Sequence, residues 1–163
     1  MDYEIPIYRV ALVRVGTLHT DDKKIRNSGS VARLLQTYIA DADREHFVVI
    51  LLDQKSRVIG INTVSIGSLT AGIVHPREAF KPVFADMADM PQDVYTRAIR
   101  HNAAAVIFGH NHPSGDVQPS MEDRAITKRL VDAGKLLGID VLDHIIIGSE
   151  GVYFSFADEN ILS

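Results

Sequence analysis

Apolar residues recur along this chain at two periods, and the changes between them mark out its elements. Residues 4–18 alternate apolar and polar positions with β-branched content, as in IYRVALVRV, which predicts a strand followed by a polar loop to about Gly29. Val31, Leu34, Leu35, Tyr38 and Ile39 then return at helical spacing and predict a first helix with one buried face. Residues 46–67, HFVVILLDQKSRVIGINTVSIG, hold two apolar, β-branched runs on either side of polar DQKSR. That is the pattern of a hairpin whose first strand is buried on both faces. VHPREAF, residues 74–80, reads as a helix start. The stretch 81–99, KPVFADMADMPQDVYTRAI, carries two prolines and predicts an interrupted helix or a flap, followed by a helix from about Gln92 to Asn102.

Further on, AAAVIFG (103–109) reads as a short buried strand, so His110 and His112 fall at or just past a strand's carboxyl end. Ligand sites of open α/β sheets gather at that edge. Residues 119–138 form an amphipathic pattern with Ile126, Leu130, Ala133 and Leu137 as the apolar stripe and Gly138 as the stop. IDVLDHIIIG (139–148) and GVYFSF (151–156) close the chain as strands. Strands and helices alternate throughout, which predicts the α/β class with a mixed central sheet flanked by helices.

Composition narrows the function. A chain of 163 residues has the size of one domain and can bury about two-thirds of its unfolded surface. The whole chain, 1–163, is therefore read as a single domain. No basic segment followed by an apolar core opens the sequence, and apolar runs such as FVVILL are too short to span a bilayer, so the protein reads as cytoplasmic with no membrane association. With no cysteine there is neither a disulfide nor a thiolate zinc site, and any metal must be held by His, Asp or Glu. The formal net charge of −4 argues against a broad phosphate-binding surface. The densest basic stretch, DDKKIR at 21–26, carries its own acids and reads as a solvated loop.

The chemistry concentrates in GHNHPSGDVQPSMED, residues 109–123. Residues i and i+2 of an extended segment point to one side, so His110 and His112 can present both imidazoles to one point. At about 100° per residue, Asp123 lies roughly 50° from the centre of its helix's apolar stripe and turns inward, which is unusual for an unpaired aspartate. Two imidazoles and one carboxylate would leave a tetrahedral zinc one open position, the pattern of a catalytic rather than a structural site. A carboxylate outside that ligand set would still be needed to move a proton. Plainer readings stand beside this one. Ser120-x-x-Asp123 also fits a capping box at a helix start, and PSG at 113–115 fits an ordinary turn. The string His110-Asn111-His112 matches HNH nucleases in letters alone, because that name denotes residues spread over a ββα unit.

Taken together, His110-x-His112-Pro113 followed by Ser120-x-x-Asp123 resembles the JAMM signature of JAB/MPN-type metalloproteases. DADREHFVVILLD, VHPREAF, GHNHPSGD and GIDVLDHIIIG resemble the bacterial RadC-like branch of that superfamily over roughly residues 30–162. The resemblance implies the JAB/MPN architecture, akin to that of cytidine deaminases. It implies that His110, His112 and Asp123 hold zinc, that Ser120 hydrogen-bonds the oxyanion of a tetrahedral intermediate, and that Glu45 activates water and later protonates the leaving amine. Glu78, in HPRE, is the rival for that last role. Full-length RadC proteins carry an N-terminal helix-hairpin-helix region for which this chain has no room, which weakens an inherited DNA role. VFADMADMPQDVYTR is longer than the family pattern and reads as a lid over the cleft or as a surface excursion. His144, in LDHIII, could orient a ligand by hydrogen bonding, although a satisfied core histidine is the simpler account. His75, before Pro76, reads as a loop residue.

These features favour a zinc-dependent hydrolase that cleaves a peptide or isopeptide amide bond, with a peptide or small protein as substrate. The alternatives are a nucleic-acid protein tied to DNA repair or mobile elements, and a metal-bound interaction module without catalysis. The complete ligand set together with Ser120 and Glu45 argues against the last. Which bond is cut, and the oligomeric state, lie beyond what the sequence expresses.

Overall fold

The computed structural model describes residues 3–8, 11–39, 41–67, 74–87 and 103–163. Along them run β1 (Ala11–Leu12), α1 (Ser28–Ile39), β2 (His46–Leu52), β3 (Val58–Ile66), α2 (Pro76–Phe84), β4 (Asp86–Met87), β5 (Ala105–Asn111), α3 (Met121–Leu137), β6 (Asp140–Ile147) and β7 (Tyr153–Ser155). Five strands make one sheet in the order β3-β2-β5-β6-β7. Only β5 and β6 pair in parallel there, and α3 supplies the crossover that a parallel pair requires. The class is mixed α/β, as the alternation of patterns predicts.

The two-faced apolar run in β2 explains its central place. Val48, Ile50 and Leu52 face α1 and join Val31, Leu35 and Ile39, whereas Phe47, Val49 and Leu51 face the other side and join Phe80 of α2 and Leu130 of α3. Burying each such side chain stabilises the fold by about 1.5–3 kcal/mol relative to exposing it, so two-sided burial selects the interior position. β5 obeys the same alternation: Ile107 packs on the α1 side, Val106 and Phe108 on the other. The pleat therefore turns His110 toward α3 and Asn111 away from it.

Local signals set the helix ends. His75, the extended residue immediately before α2, is a loop residue as expected and also the N-cap: its side chain accepts from the Arg77 N–H, and Pro76 occupies the first helical position. α3 begins at a capping box formed by Ser120 and Asp123 and stops at Gly138, which is left-handed at φ 72°.

The structure departs from the pattern in three places. Among the described residues, the strand expected over 4–18 is a strand only at Ala11–Leu12, paired in parallel with β4. Tyr3, Ile5, Ile7, Val13 and Val15 are exposed, because alternation marks a half-buried strand only where another element covers one face. On α3 the buried face is Asp123, Thr127, Leu130, Val131 and Gly134, with Leu137 largely exposed, so it is rotated from the expected stripe. Asp123 is inward as its helical angle predicts, and Thr127 is a further inward polar residue that the apolar stripe does not mark. Of the segment 81–99, residues 81–84 continue α2 through Pro82; the expected flap and the helix of 92–102 lie outside the described residues.

Candidate metal centre

Three chain segments meet at the carboxyl end of β5. The antiparallel register sets Phe47 of β2 opposite His110. Two residues before Phe47, Glu45 reaches the same end, its carboxylate 3.9 Å from His112 Nε2. His112 lies one residue past β5 and extends its pairing, donating its backbone N–H to the Ile147 carbonyl at 3.0 Å. The following turn closes through the Gly115 N–H on the His112 carbonyl at 2.9 Å, with Gly115 at φ 84°. Gly148 packs so closely on the Gly115 carbonyl that a side chain at 148 has no room, which ties the histidine turn to the end of β6.

Asp123, on the first turn of α3, completes the group. Its Oδ2 accepts from both the N–H and the hydroxyl of Ser120, each at 2.7 Å, while the Ser120 oxygen accepts the Asp123 N–H at 3.0 Å. The capping box and the inward carboxylate are thus one arrangement. His110 Nε2 lies 2.9 Å from His112 Nε2 and 3.2 Å from Asp123 Oδ1, and His112 Nε2 lies 3.4 Å from Asp123 Oδ2. Glu45 Oε1 stands slightly farther off, 3.8 Å from His110 Nε2 and 3.9 Å from His112 Nε2. One ligand atom from each of Glu45, His110, His112 and Asp123 lies within 4.8 Å of the others, a group able to hold a metal ion. Glu78 is elsewhere, on α2, 3.4 Å from Arg77 and 3.9 Å from Lys81.

Electrostatics suit a cation. Burial opposes the charge on Asp123, yet hydrogen bonds from His110, His112 and Ser120 hold its carboxyl well below the usual carboxylate range. The bond to Asp123 in turn raises the pKa of His112, partly offset by burial. Outward, the group opens into a cleft of about 320 Å³ lined by Glu45, His112, Pro113, Ser114, Ser120, Glu122 and Asp123. A larger hollow of about 460 Å³, lined by neither His110 nor His112, lies beside the start of α1, where Asp22 and Arg26 pair at 3.1 Å.

Behind the ligand atoms stand His144, which the sequence offers as an orienting residue, and Thr127 and Asn111, which pattern reading passes over. His110 Nδ1 meets His144 Nε2 at 2.8 Å, and His144 Nδ1 meets Thr127 Oγ1 at 2.6 Å. His144 is a buried core residue, as expected, and it also contacts a candidate ligand, which the core reading alone leaves out. Thr127 follows Asp123 by one helical turn on the same face, a spacing that could have singled it out. Asn111 accepts the His46 N–H at 2.7 Å and donates to the Arg44 carbonyl at 2.9 Å, gripping the chain on both sides of Glu45.

Comparison with known proteins identifies the family. The model of the RadC-like JAB domain matches residues 25–90 and 85–161, two pieces that overlap at 85–90. A UPF0758 protein of Rubrobacter xylanophilus is 48% identical over 138 residues, 85% of this chain and 53% of that protein. Similar proteins of the same name occur in Alkaliphilus oremlandii, 42% identical over 158 residues (94% of this chain, 61% of the relative), and in Methanococcoides burtonii, 44% identical over 154 residues (93% and 60%). The chain thus spans between half and about three-fifths of the length of these relatives. With the matched segments covering the sheet, α1–α3 and all four members of the clustered group, the chain belongs to the RadC-like JAB domain family.

Proposed function

We propose that this chain is a zinc-dependent hydrolase that cleaves an amide bond of a peptide or isopeptide. One observation carries the reading: the side chains of Glu45, His110, His112 and Asp123 converge at a strand end that opens into a cleft. Two imidazole nitrogens and a carboxylate, without thiolates, match the donor set of catalytic zinc sites. His110, His112 and Asp123 would hold the ion. Zinc in such a site supplies Lewis acidity, making water more acidic and polarising an amide carbonyl.

The remaining chemistry belongs to the chain. Glu45 stands farther from the imidazoles than Asp123 does and lines the cleft, which leaves its carboxylate to take a proton from water and return it to the leaving amine. Ser120 also lines the cleft. Its hydroxyl donates to Asp123 Oδ2, so hydrogen bonding to a developing oxyanion requires that hydroxyl to turn from the carboxylate toward substrate. The described cleft lining includes Glu45, Glu122 and Asp123 and neither Lys nor Arg, which favours a peptide or small protein over a nucleic acid as substrate.

The test begins with metal content. Elemental analysis should find about one zinc per chain in the wild type and a loss in His112→Ala, since a three-ligand site does not survive removal of one ligand. Glu45→Gln should keep its zinc and lose about 10²- to 10⁴-fold in kcat on peptide or isopeptide substrates, the usual contribution of a general acid–base. A wild type without metal, or an His112→Ala protein with undiminished zinc, rules out the site. Full activity in Glu45→Gln removes Glu45 from the mechanism.

A further inference from the structure

We propose that His144 is a positioning residue that fixes the tautomer of His110, as the middle link of a one-directional hydrogen-bond chain anchored on the backbone of Asp123. The inference rests on reading the clustered residues as a metal centre and adds the device that prepares one ligand for it.

The direction follows from the group at the far end. The Asp123 carbonyl can only accept, and Thr127 Oγ1 donates to it at 2.6 Å. With its hydrogen committed there, the Thr127 hydroxyl must accept from His144 Nδ1, 2.6 Å away, so that nitrogen carries the hydrogen. The His144 ring is fully buried against Phe47 and Phe156, and its nitrogens face a hydroxyl and an imidazole rather than a carboxylate; a charge there would be buried without an acid partner, so the ring is neutral and its Nε2 keeps a lone pair. That lone pair faces His110 Nδ1 at 2.8 Å, which must therefore be the N–H. In the neutral ring, His110 consequently turns its Nε2 lone pair into the site.

His112 reaches the same tautomer by a shorter route. Its Nδ1 lies 2.6 Å from the Asp116 carbonyl, again a pure acceptor, so in the neutral ring Nε2 bears the lone pair. With both rings neutral, two imidazole lone pairs 2.9 Å apart face the Asp123 carboxylate, a set of donors that a proton or a metal cation can share.

Packing fixes the relay itself. The His144 ring stacks on Phe156 with centroids 5.0 Å apart and planes 12° off parallel, and meets Phe47 edge-on at 5.3 Å. The His144 backbone carbonyl accepts the Phe156 N–H at 3.0 Å and its N–H donates to Asp143 at 2.7 Å. Ring flips that would exchange the two nitrogens are thus opposed from both faces. Because Thr127 bonds the carbonyl of Asp123 itself, one chain of bonds ties the strand ligand to the helix ligand.

The experiment measures zinc affinity by chelator competition, together with the imidazole ¹⁵N spectrum of the zinc-free protein. Wild type should show His110 as the Nδ1–H tautomer. His144→Phe keeps the ring's bulk and removes both nitrogens. It should weaken zinc binding by about 10- to 100-fold, the usual effect of losing a partner behind a metal ligand, and should mix the His110 tautomers. His144→Gln can still offer an acceptor to His110 and a donor to Thr127, and should recover most of the affinity. Should the buried substitutions prevent folding, Thr127→Val opens the relay at its far end and should weaken zinc in the same direction. Unchanged affinity in folded His144→Phe or Thr127→Val, or equal loss in His144→Phe and His144→Gln, overturns the relay while leaving the metal centre intact. A wild type that binds no zinc instead overturns the metal centre, so the two failures are distinguishable.

Discussion

Asn111 shows how much one side chain between two candidate ligands can do. It points to the opposite face of β5 from His110 and holds the peptides on both sides of Glu45, while the Glu45 carbonyl accepts the Gly67 N–H at 2.8 Å. Holding the backbone of Glu45, the proposed acid–base residue, from several directions limits where its carboxylate can swing. Asn111→Ala should leave zinc affinity unchanged and speed amide exchange at His46 about five- to tenfold, the equivalent of one lost hydrogen bond. Exchange at His46 that stays at the wild-type rate would show that the asparagine does not hold this segment.

At the scale of elements, the approach of α3 to β6 decides whether Asp123 reaches the histidines. Gly134 sits on the buried face of α3, where an added Cβ would lie 2.6 Å from the Ile139 carbonyl oxygen and 2.9 Å from Val141 Cγ2. Helix propensity favours alanine over glycine by about 1 kcal/mol, whereas overpacking a tight contact costs about 1–3 kcal/mol. The first obstacle is backbone, which cannot rotate out of the way, so the steric term wins. Gly134→Ala should therefore destabilise the protein by about 1–2 kcal/mol in urea unfolding. A variant as stable as wild type would mean that α3 can slide on the sheet.

Over the whole molecule, Asp143 joins the sheet to the C-terminal segment, accepting the N–H of His144 at 2.7 Å, that of Ala157 at 2.9 Å and the Ser155 hydroxyl at 2.6 Å. Burial pushes its carboxyl pKa up in spite of those donors. A folded-state pKa above the unfolded one contributes stability that is fully present below the unfolded value and is lost as pH rises through the folded value. Asp143→Asn keeps the size and removes the titration. Relative to this variant, the wild type should be favoured most near pH 4, and the difference should shrink as pH rises to 7, as read from paired urea unfolding curves. A difference independent of pH would show that Asp143 ionises as readily in the folded protein as in the unfolded one.

The sequence by itself determined the features that depend on local pattern. Two-faced apolar runs marked β2 and β5, caps at Ser120 and Gly138 bounded α3, and the spacing of His110, His112 and Asp123 put three candidate ligands within reach of one point. Tertiary structure decided what requires a neighbour. Alternation over 4–18 could not say that only Ala11–Leu12 would find a partner strand among the described residues. The apolar stripe of α3 could not reveal Thr127 as inward, because its surroundings are polar only once His144 and the Asp123 carbonyl stand beside it. Glu45 and Glu78 are alike as residues; the antiparallel register of β2 on β5 brings Glu45 to the histidines and leaves Glu78 among the cations of α2. Periodicity is a property of neighbours in the chain, whereas register, burial of a polar group and hydrogen-bond direction belong to neighbours in space.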